Sequence, residues 1–385
     1  MIKIYQRTFV ISLVLLSLFF CANTLADISK LVPKPPRLKA KSYVLMDAAS
    51  GQALAEFNAE ERTDPASLTK MMTVYVAANA LASNAISLEQ TTIVTEKAWK
   101  MEGSRMFIEV GKEVSVDELL DGIIIQSGND ASVALAEFIS GGEDVFAQEM
   151  NQTATELGMR GSSFSNSTGL PHENTYVTAI DLARLSRHLI VNHPTIYARF
   201  REKEFTYNEI RQFNRNRLLS RDSAVDGIKT GHTEAAGFCL VSSAVKDGMR
   251  LIAVVMGTES DEARTEESQK LLNYGFRYFE SKRVYSAGDT VASVKAWKGQ
   301  AESLPLSVAS DLIVTIPRGR FAEIEASAKL PSAVTAPVSK GTKIGDMVLS
   351  LEGTEIAAVP LLANDDLSEA SIFGRLVDEV KMRLE

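Results

Sequence analysis

The sequence predicts an α+β fold, in which an antiparallel sheet carries a cluster of helices and a small all-β domain follows. Alternating apolar and polar residues predict one strand hairpin over residues 42–57 and a second over residues 237–257. Helical spacing dominates between residues 116 and 189. The early and late strands therefore close one sheet, and the helices between them pack on it.

The composition is that of a globular protein, with 45% hydrophobic and 23% charged residues in a chain of 385. A chain of this length is expected to form two domains, because single cores rarely grow beyond roughly 250–300 residues. The net charge of −8 argues against a protein that wraps nucleic acid. We therefore expect no nucleic-acid partner.

The first 26 residues have the pattern of a secretory signal peptide. Lys3 and Arg7 precede an apolar run over residues 9–20, and Thr24 and Ala26 place small side chains before the predicted cleavage site. The apolar run is shorter than the roughly 17–25 residues that a membrane-spanning helix needs. The sequence thus predicts export to the periplasm.

Cysteine and histidine placement argues against metal and thiol chemistry. After removal of residues 1–26, Cys239 is the one cysteine left, so no intrachain disulfide is expected. It lies in a strand pattern over residues 237–241, where a buried thiol is usually inert. The four histidines show no H-x-x-x-H spacing and no C-x-x-C pair occurs. We expect neither a metal nor a cofactor.

The chain changes character after Arg283. Short alternating runs separated by turn residues predict a small all-β domain over residues 284–362. In the remaining stretch, 363–385, apolar side chains share one face of a predicted helix: Phe373, Leu376, Val377, Val380 and Leu384. Such an amphipathic helix is typical of a membrane interface, although docking on its own domain or an oligomer contact would leave the same pattern.

Three short motifs follow one another: Ser67-Leu-Thr-Lys70, Ser127-Gly-Asn129 and Lys229-Thr-Gly231. The first lies in a helical pattern that Pro65 opens, so its serine and lysine share one face, a turn apart. A second S-x-x-K match, Ser243 to Lys246, lies in a strand pattern, where these positions face opposite sides. The Ser67–Lys70 pair is therefore the one suited to joint chemistry.

These residue types are those of nucleophilic catalysis. A serine hydroxyl needs a base, and Lys70 can be that base only as a neutral amine, which burial and a second cation such as Lys229 favour. At a helix start, Ser67 also meets free N–H groups that stabilise an oxyanion, and we expect the backbone N–H of His232 to be the second donor. Gly231 lets a substrate backbone approach closely.

With these motifs, the chain resembles the class C low-molecular-mass penicillin-binding proteins, the serine D-alanyl-D-alanine carboxypeptidases of Gram-negative bacteria (peptidase family S11). Three segments resemble the family's active-site signatures: 64–72, 126–131 and 225–232. Residues 315–320 resemble its appended β-domain, and the tail resembles its membrane anchor. The resemblance implies a penicillin-recognising domain, β-lactamase/transpeptidase-like in fold, over residues 27–283.

The resemblance also implies roles for the motif residues. Ser67 would be acylated, Lys70 would act as its base, and Ser127 with Lys229 would pass the proton to the departing D-alanine. The implied substrate is a peptidoglycan pentapeptide, and β-lactam antibiotics would acylate Ser67 in its place. The enzyme would lie in the periplasm, peripheral to the inner membrane, and a homodimer is left open.

Three further residues would bind the substrate. By resemblance, Asn129 would hold its amide, and Thr230 with Arg264 would bind its terminal carboxylate. The loop over residues 162–172 corresponds to an omega-like loop beside the site, and Thr168 takes the place where some relatives have a histidine.

Three other functions compete with this interpretation. A class A β-lactamase has S-D-N at the second motif, whereas this chain has Gly128 in the middle position. Such an enzyme also carries a glutamate in its omega loop, and the segment 142–177 contains no E-x-x-L-N pattern. A D,D-endopeptidase would use the same catalytic set. A non-catalytic penicillin-binding scaffold is disfavoured because all three motifs are intact.

Overall fold

The computed structural model describes residues 31–384, so the predicted signal peptide at 1–26 lies outside the described residues. Helices and strands of the first domain follow in chain order: β1 (Ser42–Asp47), β2 (Ala53–Phe57), α1 (Lys70–Ala82), β3 (Thr91–Ile93), α2 (Glu96–Trp99), β4 (Glu113–Ser115), α3 (Val116–Asp121), α4 (Asn129–Ser140), α5 (Glu143–Glu156), α6 (Ala179–Asn192), α7 (Pro194–Tyr197), β5 (Glu204–Tyr207), β6 (Ile210–Phe213), α8 (Leu218–Arg221), β7 (Val225–Thr233), β8 (Gly237–Lys246), β9 (Met249–Thr258) and α9 (Asp261–Tyr278).

The central sheet is antiparallel, with the strand order β2-β1-β9-β8-β7. Both predicted hairpins are present, β1 with β2 and β8 with β9, and β1 pairs with β9 to join the two ends of the domain. This confirms the α+β prediction of a sheet closed by early and late strands. Strand β7, which carries the third motif, lies at the edge of the sheet.

Alternating side chains bury both faces of this sheet. Val44 and Ile252 point into a core shared with α1, α4 and α6, whereas Leu45 and Leu251 point into a second core shared with α9. Helix α1 runs through the first core, and its residues from Lys70 to Ala78 are buried. The helix that begins beside Ser67 is therefore fixed by packing along most of its length.

The second domain contains strands alone, with a short 3₁₀ turn at 321–323: β10 (Phe279–Tyr285), β11 (Thr290–Trp297), β12 (Ser303–Ser307), β13 (Leu312–Pro317), β14 (Ile324–Lys329), β15 (Ala333–Thr335), β16 (Lys343–Leu351) and β17 (Thr354–Ala363). Six of these strands form one sheet in the order β14-β16-β17-β12-β11-β15, and β10 pairs with β13. The boundary predicted at residue 283 falls inside β10, because α9 passes directly into that strand.

The two domains pack against each other through apolar and polar contacts. The core around α9 continues into the second domain. At its edge the buried carboxylate of Asp47 accepts a hydrogen bond of 2.7 Å from the Ser281 hydroxyl, and the hydroxyls of Ser50 and Thr315 lie 2.6 Å apart. Because a buried carboxylate must be hydrogen-bonded, this junction favours one relative placement of the domains.

The chain ends in helix α10 (Ile372–Met382), which the Ser371 hydroxyl caps by accepting a hydrogen bond from the N–H of Gly374. The amphipathic segment predicted over 363–385 includes Leu367, but Leu367 is buried and pairs with Val338, and the helix begins only after it. The apolar face of α10 is exposed, with Phe373 at 80%. None of the helices in the described part of the chain is long and apolar enough to span a membrane.

Candidate active site

Ser67 lies on a 3₁₀ turn, Ala66–Thr69, that leads directly into α1. The helix predicted to open at Pro65 thus starts as a tighter turn before its regular part. Ser67 is partly exposed, whereas Lys70, the first residue of α1, is fully buried. The Lys70 Nζ lies 3.1 Å from the Ser67 Oγ, which confirms that the two side chains share one face.

The Lys70 amine is surrounded by hydrogen-bond acceptors. Besides Ser67, its Nζ donates to the Asn129 Oδ1 at 2.7 Å and to the carbonyl oxygen of Thr168 at 2.8 Å. Burial, helped by the charge of Arg215, lowers the pKa of Lys70 to about 7. A substantial share of Lys70 is therefore a neutral amine near neutral pH, as a base for Ser67 must be.

The second motif follows a π-helical segment, Gly122–Gln126, and Ser127 ends it in the left-handed conformation with φ of 68°. The Ser127 Oγ is buried and has no hydrogen-bond partner within residues 31–384. Buried hydroxyls are almost always bonded, so this oxygen has capacity left for a ligand or a water. It lies in the wall of the same cleft as Ser67.

Asn129 connects Lys70 to a neighbouring loop. Its Oδ1 accepts from Lys70, its Nδ2 donates to the carbonyl of Glu102 at 2.6 Å, and its backbone N–H donates to the carbonyl of Ser104 at 2.6 Å. An amide group carries two N–H donors, so one side-chain N–H remains for the substrate contact that the sequence predicts.

The third motif runs along the edge strand β7. Lys229 is 3% exposed, and burial together with the charges of Lys70 and Arg215 holds its pKa well below the usual value. Gly231 faces the turn that carries Ser67: a β-carbon there would lie 3.0 Å from the carbonyl oxygen of Pro65. Gly231 thus permits the close approach of β7 to the turn. It also lines the cleft, and the substrate approach predicted for it stays a prediction.

His232 and Arg264 also line this cleft. The His232 side chain is exposed, and its ring centroid lies 3.9 Å from that of Phe238. Arg264 is 6% exposed, donates to the carbonyl of Gly231 at 3.0 Å and pairs with Asp261. Arg264 therefore supports the end of β7 as well as lining the cleft.

The loop predicted to be omega-like approaches Lys70 through its backbone. The Asn166 Oδ1 accepts hydrogen bonds from the N–H groups of Thr168 and Gly169 and from the Thr168 hydroxyl. Glu143 accepts two more from Ser167. These bonds aim the carbonyl of Thr168 at Lys70, and its side chain turns back to Asn166.

The cleft has a volume of about 640 Å³ and collects most of the predicted site residues: Ser67, Ser127, Thr230, Gly231, His232 and Arg264. The buried residues Lys70, Asn129 and Lys229 lie beneath it. Sequence reasoning missed Arg215, which also lines the cleft. The two asparagines that flank it, Asn214 and Asn216, could have indicated an ordered turn at this position, because asparagine side chains hydrogen-bond nearby backbone groups and fix turns.

Comparison with known proteins agrees with this architecture. Residues 29–260 match the family model for peptidase S11, described as D-alanyl-D-alanine carboxypeptidase, and residues 279–369 match the model for the penicillin-binding protein 5 C-terminal domain. The chain belongs to the D-alanyl-D-alanine carboxypeptidase family of hydrolases, and it has the two-domain form that includes this C-terminal domain.

Relatives in this family align over most of their length. The D-alanyl-D-alanine carboxypeptidase DacA of Escherichia coli (strain K12) is 41% identical over 364 residues, which cover 92% of this chain and 90% of that protein. DacC of the same organism is 43% identical over 356 residues, covering 90% and 89%. The crystal structure of penicillin-binding protein 5 from Haemophilus influenzae is 40% identical, with a TM-score of 0.86 over 88% of this chain and all of that one.

Proposed function

We propose that this protein is a serine D-alanyl-D-alanine carboxypeptidase that removes the terminal D-alanine from peptidoglycan pentapeptides through an ester on Ser67. The observation that carries this proposal is the buried Lys70 amine, 3.1 Å from the Ser67 Oγ at the base of an open cleft. A buried lysine with a pKa of about 7 beside a serine is the arrangement that nucleophilic catalysis requires.

In the acylation step, the neutral Lys70 amine takes the proton of the Ser67 hydroxyl as its oxygen attacks the carbonyl carbon of the penultimate D-alanine. The resulting oxyanion is stabilised by backbone N–H groups at Ser67 and His232. The peptide bond then breaks, and the proton that Lys70 took passes through the Ser127 hydroxyl, which lines the cleft with Lys229 as its neighbour, to the departing nitrogen, so that Lys70 is neutral again. D-Alanine leaves as the free amino acid.

In the second step, water attacks the Ser67 ester. Lys70 takes a proton from this water and returns it to the serine oxygen when the ester breaks, so the enzyme returns to its starting state. The carbonyl of Thr168, 2.8 Å from the Lys70 Nζ, keeps the amine oriented through both steps. The products are the shortened peptide with a new carboxylate and the regenerated hydroxyl.

The charge of the cleft suits a substrate that ends in a carboxylate. Lys229, Arg215 and Arg264 surround it, and Asp261 is already paired with Arg264. We assign the terminal carboxylate to the hydroxyl of Thr230 and the guanidinium of Arg264, and the substrate amide to Asn129. Cationic groups in a partly buried cleft bind a carboxylate more strongly than they would in water.

We also propose that β-lactams acylate Ser67, because they resemble the D-Ala-D-Ala terminus and a similar structure is a penicillin-binding protein. A β-lactamase function is less well supported: the omega-like loop offers Lys70 the carbonyl of Thr168, and the carboxylate of Glu143 is bound by Ser167 and Lys97. Residues 162–172 contain no aspartate or glutamate, so deacylation relies on Lys70 without a loop carboxylate of the kind that class A β-lactamases use.

For location, we propose the periplasm, with the protein peripheral to the inner membrane through α10. The support is the predicted signal pattern and the exposed apolar face of α10, on which Phe373 and Leu376 are 80% and 61% exposed. A homodimer stays a prediction.

The test is D-alanine release from diacyl-L-Lys-D-Ala-D-Ala by the chain without residues 1–26, beside its Ser67→Ala variant. Release by the native chain alone would support the carboxypeptidase and its nucleophile. Absence of release from both, with penicillin still bound by the native chain, would reject the carboxypeptidase in favour of an endopeptidase or a scaffold.

A further inference from the structure

Phe107 combines two features that are each unfavourable. Its side chain is 44% exposed, and its backbone has a φ of 69°, the left-handed region that bulky residues rarely adopt. Residues kept in such conformations cluster at functional sites, where the surrounding structure enforces them. Phe107 is therefore a candidate for a binding contact.

The group that enforces this conformation is a neighbour of the catalytic machinery. Asp130, 1% exposed, accepts hydrogen bonds from the N–H groups of Met106 and Phe107 at 2.9 Å each and of Ile108 at 3.3 Å. Asp130 directly follows Asn129, which binds Lys70. The position of the Phe107 ring is thus coupled to the second active-site motif by a buried carboxylate.

A second exposed ring stands on the adjoining segment. Phe213, at the end of β6, is 57% exposed, and its neighbour Gln212 donates from Nε2 to the carbonyl of Met106 at 3.1 Å. Each ring is accompanied by a guanidinium: Arg105 Cζ lies 5.6 Å from the Phe107 centroid, and Arg211 Cζ lies 5.0 Å from the Phe213 centroid. We call Arg105, Phe107, Arg211 and Phe213 the aromatic rim.

The two segments that carry the aromatic rim also contribute residues to the wall of the catalytic cleft. Gly103 and Ser104, just before the Arg105–Phe107 pair, line the cleft, and so do Asn214 and Arg215, just after Phe213. Both segments therefore pass from the cleft to the exposed rings within a few residues. A polymer whose end occupies the cleft would meet the rim as it leaves.

We propose that the aromatic rim binds the sugar chain of peptidoglycan while the stem peptide occupies the cleft. This rests on the proposed carboxypeptidase function. A five-residue stem spans at most about 17 Å when extended, so the sugars cannot be far from the cleft when its end reaches Ser67. A flat hydrophobic ring face suits the C–H face of a pyranose, since the ring face is electron-rich.

The guanidinium groups supply the polar half of this recognition. Sugar hydroxyl and N-acetyl carbonyl oxygens are hydrogen-bond acceptors, and arginine carries five N–H donors. Arg211 pairs with Glu204, which uses part of this capacity and fixes the group over the Phe213 ring. Aromatic rings beside guanidinium donors thus suit a neutral carbohydrate. They suit the acyl chains of a membrane less well, because burying charged groups among acyl chains is unfavourable.

The kinetic test compares kcat/KM for D-alanine release from a disaccharide-pentapeptide with that from the free pentapeptide. We expect the native chain to prefer the disaccharide form, and Phe107→Ala and Phe213→Ala each to reduce this ratio by about tenfold or less, the contribution of one aromatic contact. Because a ratio is measured, a general loss of activity cancels. Phe321→Ala, at a ring 40% exposed in the second domain, is the matched control and should leave the ratio unchanged.

A binding measurement separates the rim from the carboxypeptidase reaction. Glycan strands stripped of stem peptides are titrated into the Ser67→Ala chain, alone and with Phe213→Ala added. Weaker binding by the double variant supports the rim even if no D-alanine is ever released. Three results would each overturn the proposal. The first is a kcat/KM ratio near one in the native chain, and the second is the same ratio in the native chain and in both rim variants. The third is equal binding of stripped glycan by the Ser67→Ala chain with and without Phe213→Ala.

Discussion

Gly169 lies against the carbonyl group of Ala66, so closely that a β-carbon at position 169 would be 1.8 Å from the Ala66 oxygen. Both residues are in the left-handed region, with φ of 79° at Gly169 and 47° at Ala66. This contact joins the loop that supplies the Thr168 carbonyl to the turn that presents Ser67. Ser67, the proposed nucleophile, and the carbonyl that accepts a hydrogen bond from Lys70, its proposed base, are therefore placed by a single junction.

The first prediction concerns this junction. Gly169→Ala would force the loop away from the turn, and we expect a loss of stability above about 3 kcal/mol together with loss of acylation. Gly158→Ala is the control, because Gly158 has a similar φ of 72° but open space around it, so we expect a cost of only about 1 kcal/mol. Denaturant unfolding and labelling by a fluorescent penicillin measure both effects. Equal costs at the two positions would contradict the role of the contact.

The second prediction is the pH dependence of acylation. The pKa of Lys70 is about 7 in the folded protein, below the usual lysine value, so the amine is protonated and inactive under acidic conditions and becomes a base as the pH rises through 7. The acylation rate should therefore rise with pH around a midpoint near 7, measured by stopped-flow reaction with penicillin. Lys70→Ala should abolish acylation with folding retained, and acylation at the native rate by this variant would exclude Lys70 as the base.

The same pKa has a consequence for stability, with a defined sign. Because the folded-state pKa of Lys70 is depressed, the unfolded chain binds more protons between about pH 7 and the normal lysine pKa near 10.4. This residue alone should make folding more favourable as the pH rises through that window. The difference between the native chain and Lys70→Met in the pH slope of unfolding free energy would measure it, and identical slopes would contradict the depressed pKa.

The fourth prediction concerns Arg215, whose charge lowers the pKa values of Lys70 and Lys229. Arg215→Gln removes that charge, so the midpoint of the acylation profile should move upward by about half a unit to one unit. Arg215→Lys keeps a cation at the cleft and should retain more of the native midpoint. If the maximal acylation rate falls while the midpoint pH stays the same, Arg215 does not act through the pKa of Lys70.

The fifth prediction tests α10 as the membrane contact. Phe373→Ser and Leu376→Ser remove exposed apolar side chains, and each should weaken partition to lipid vesicles by about 10- to 100-fold, because burying such a side chain is worth about 1.5–3 kcal/mol. Ile93→Ser, at a residue 63% exposed on the first domain, is the control. A deletion should begin after Ser371, since Leu367 belongs to the second domain's core. Unchanged partition of the helix variants would assign the exposed face to another partner.

Several local features followed from the sequence because they depend on neighbours along the chain. The Lys70 Nζ lies 3.1 Å from the Ser67 Oγ, as a separation of one helical turn predicts. The second S-x-x-K match lies in β8, where Ser243 is buried and Lys246 pairs with Asp222. The repeat of the helix or strand and the chemistry of the side chains suffice for such predictions, because the repeat decides which side chains share a face.

The sequence by itself determined the family and indicated the proposed chemistry, through a serine and a lysine one helical turn apart and two further motifs in order. Only the tertiary structure decided how the site is held together. The Thr168 carbonyl on Lys70, the buried Asp130 under Phe107 and the packing of Gly231 on the turn join segments that are far apart in the chain. A local sequence pattern cannot predict these contacts. Every residue has the same backbone polar groups, and the packing of the whole domain decides which groups these contact.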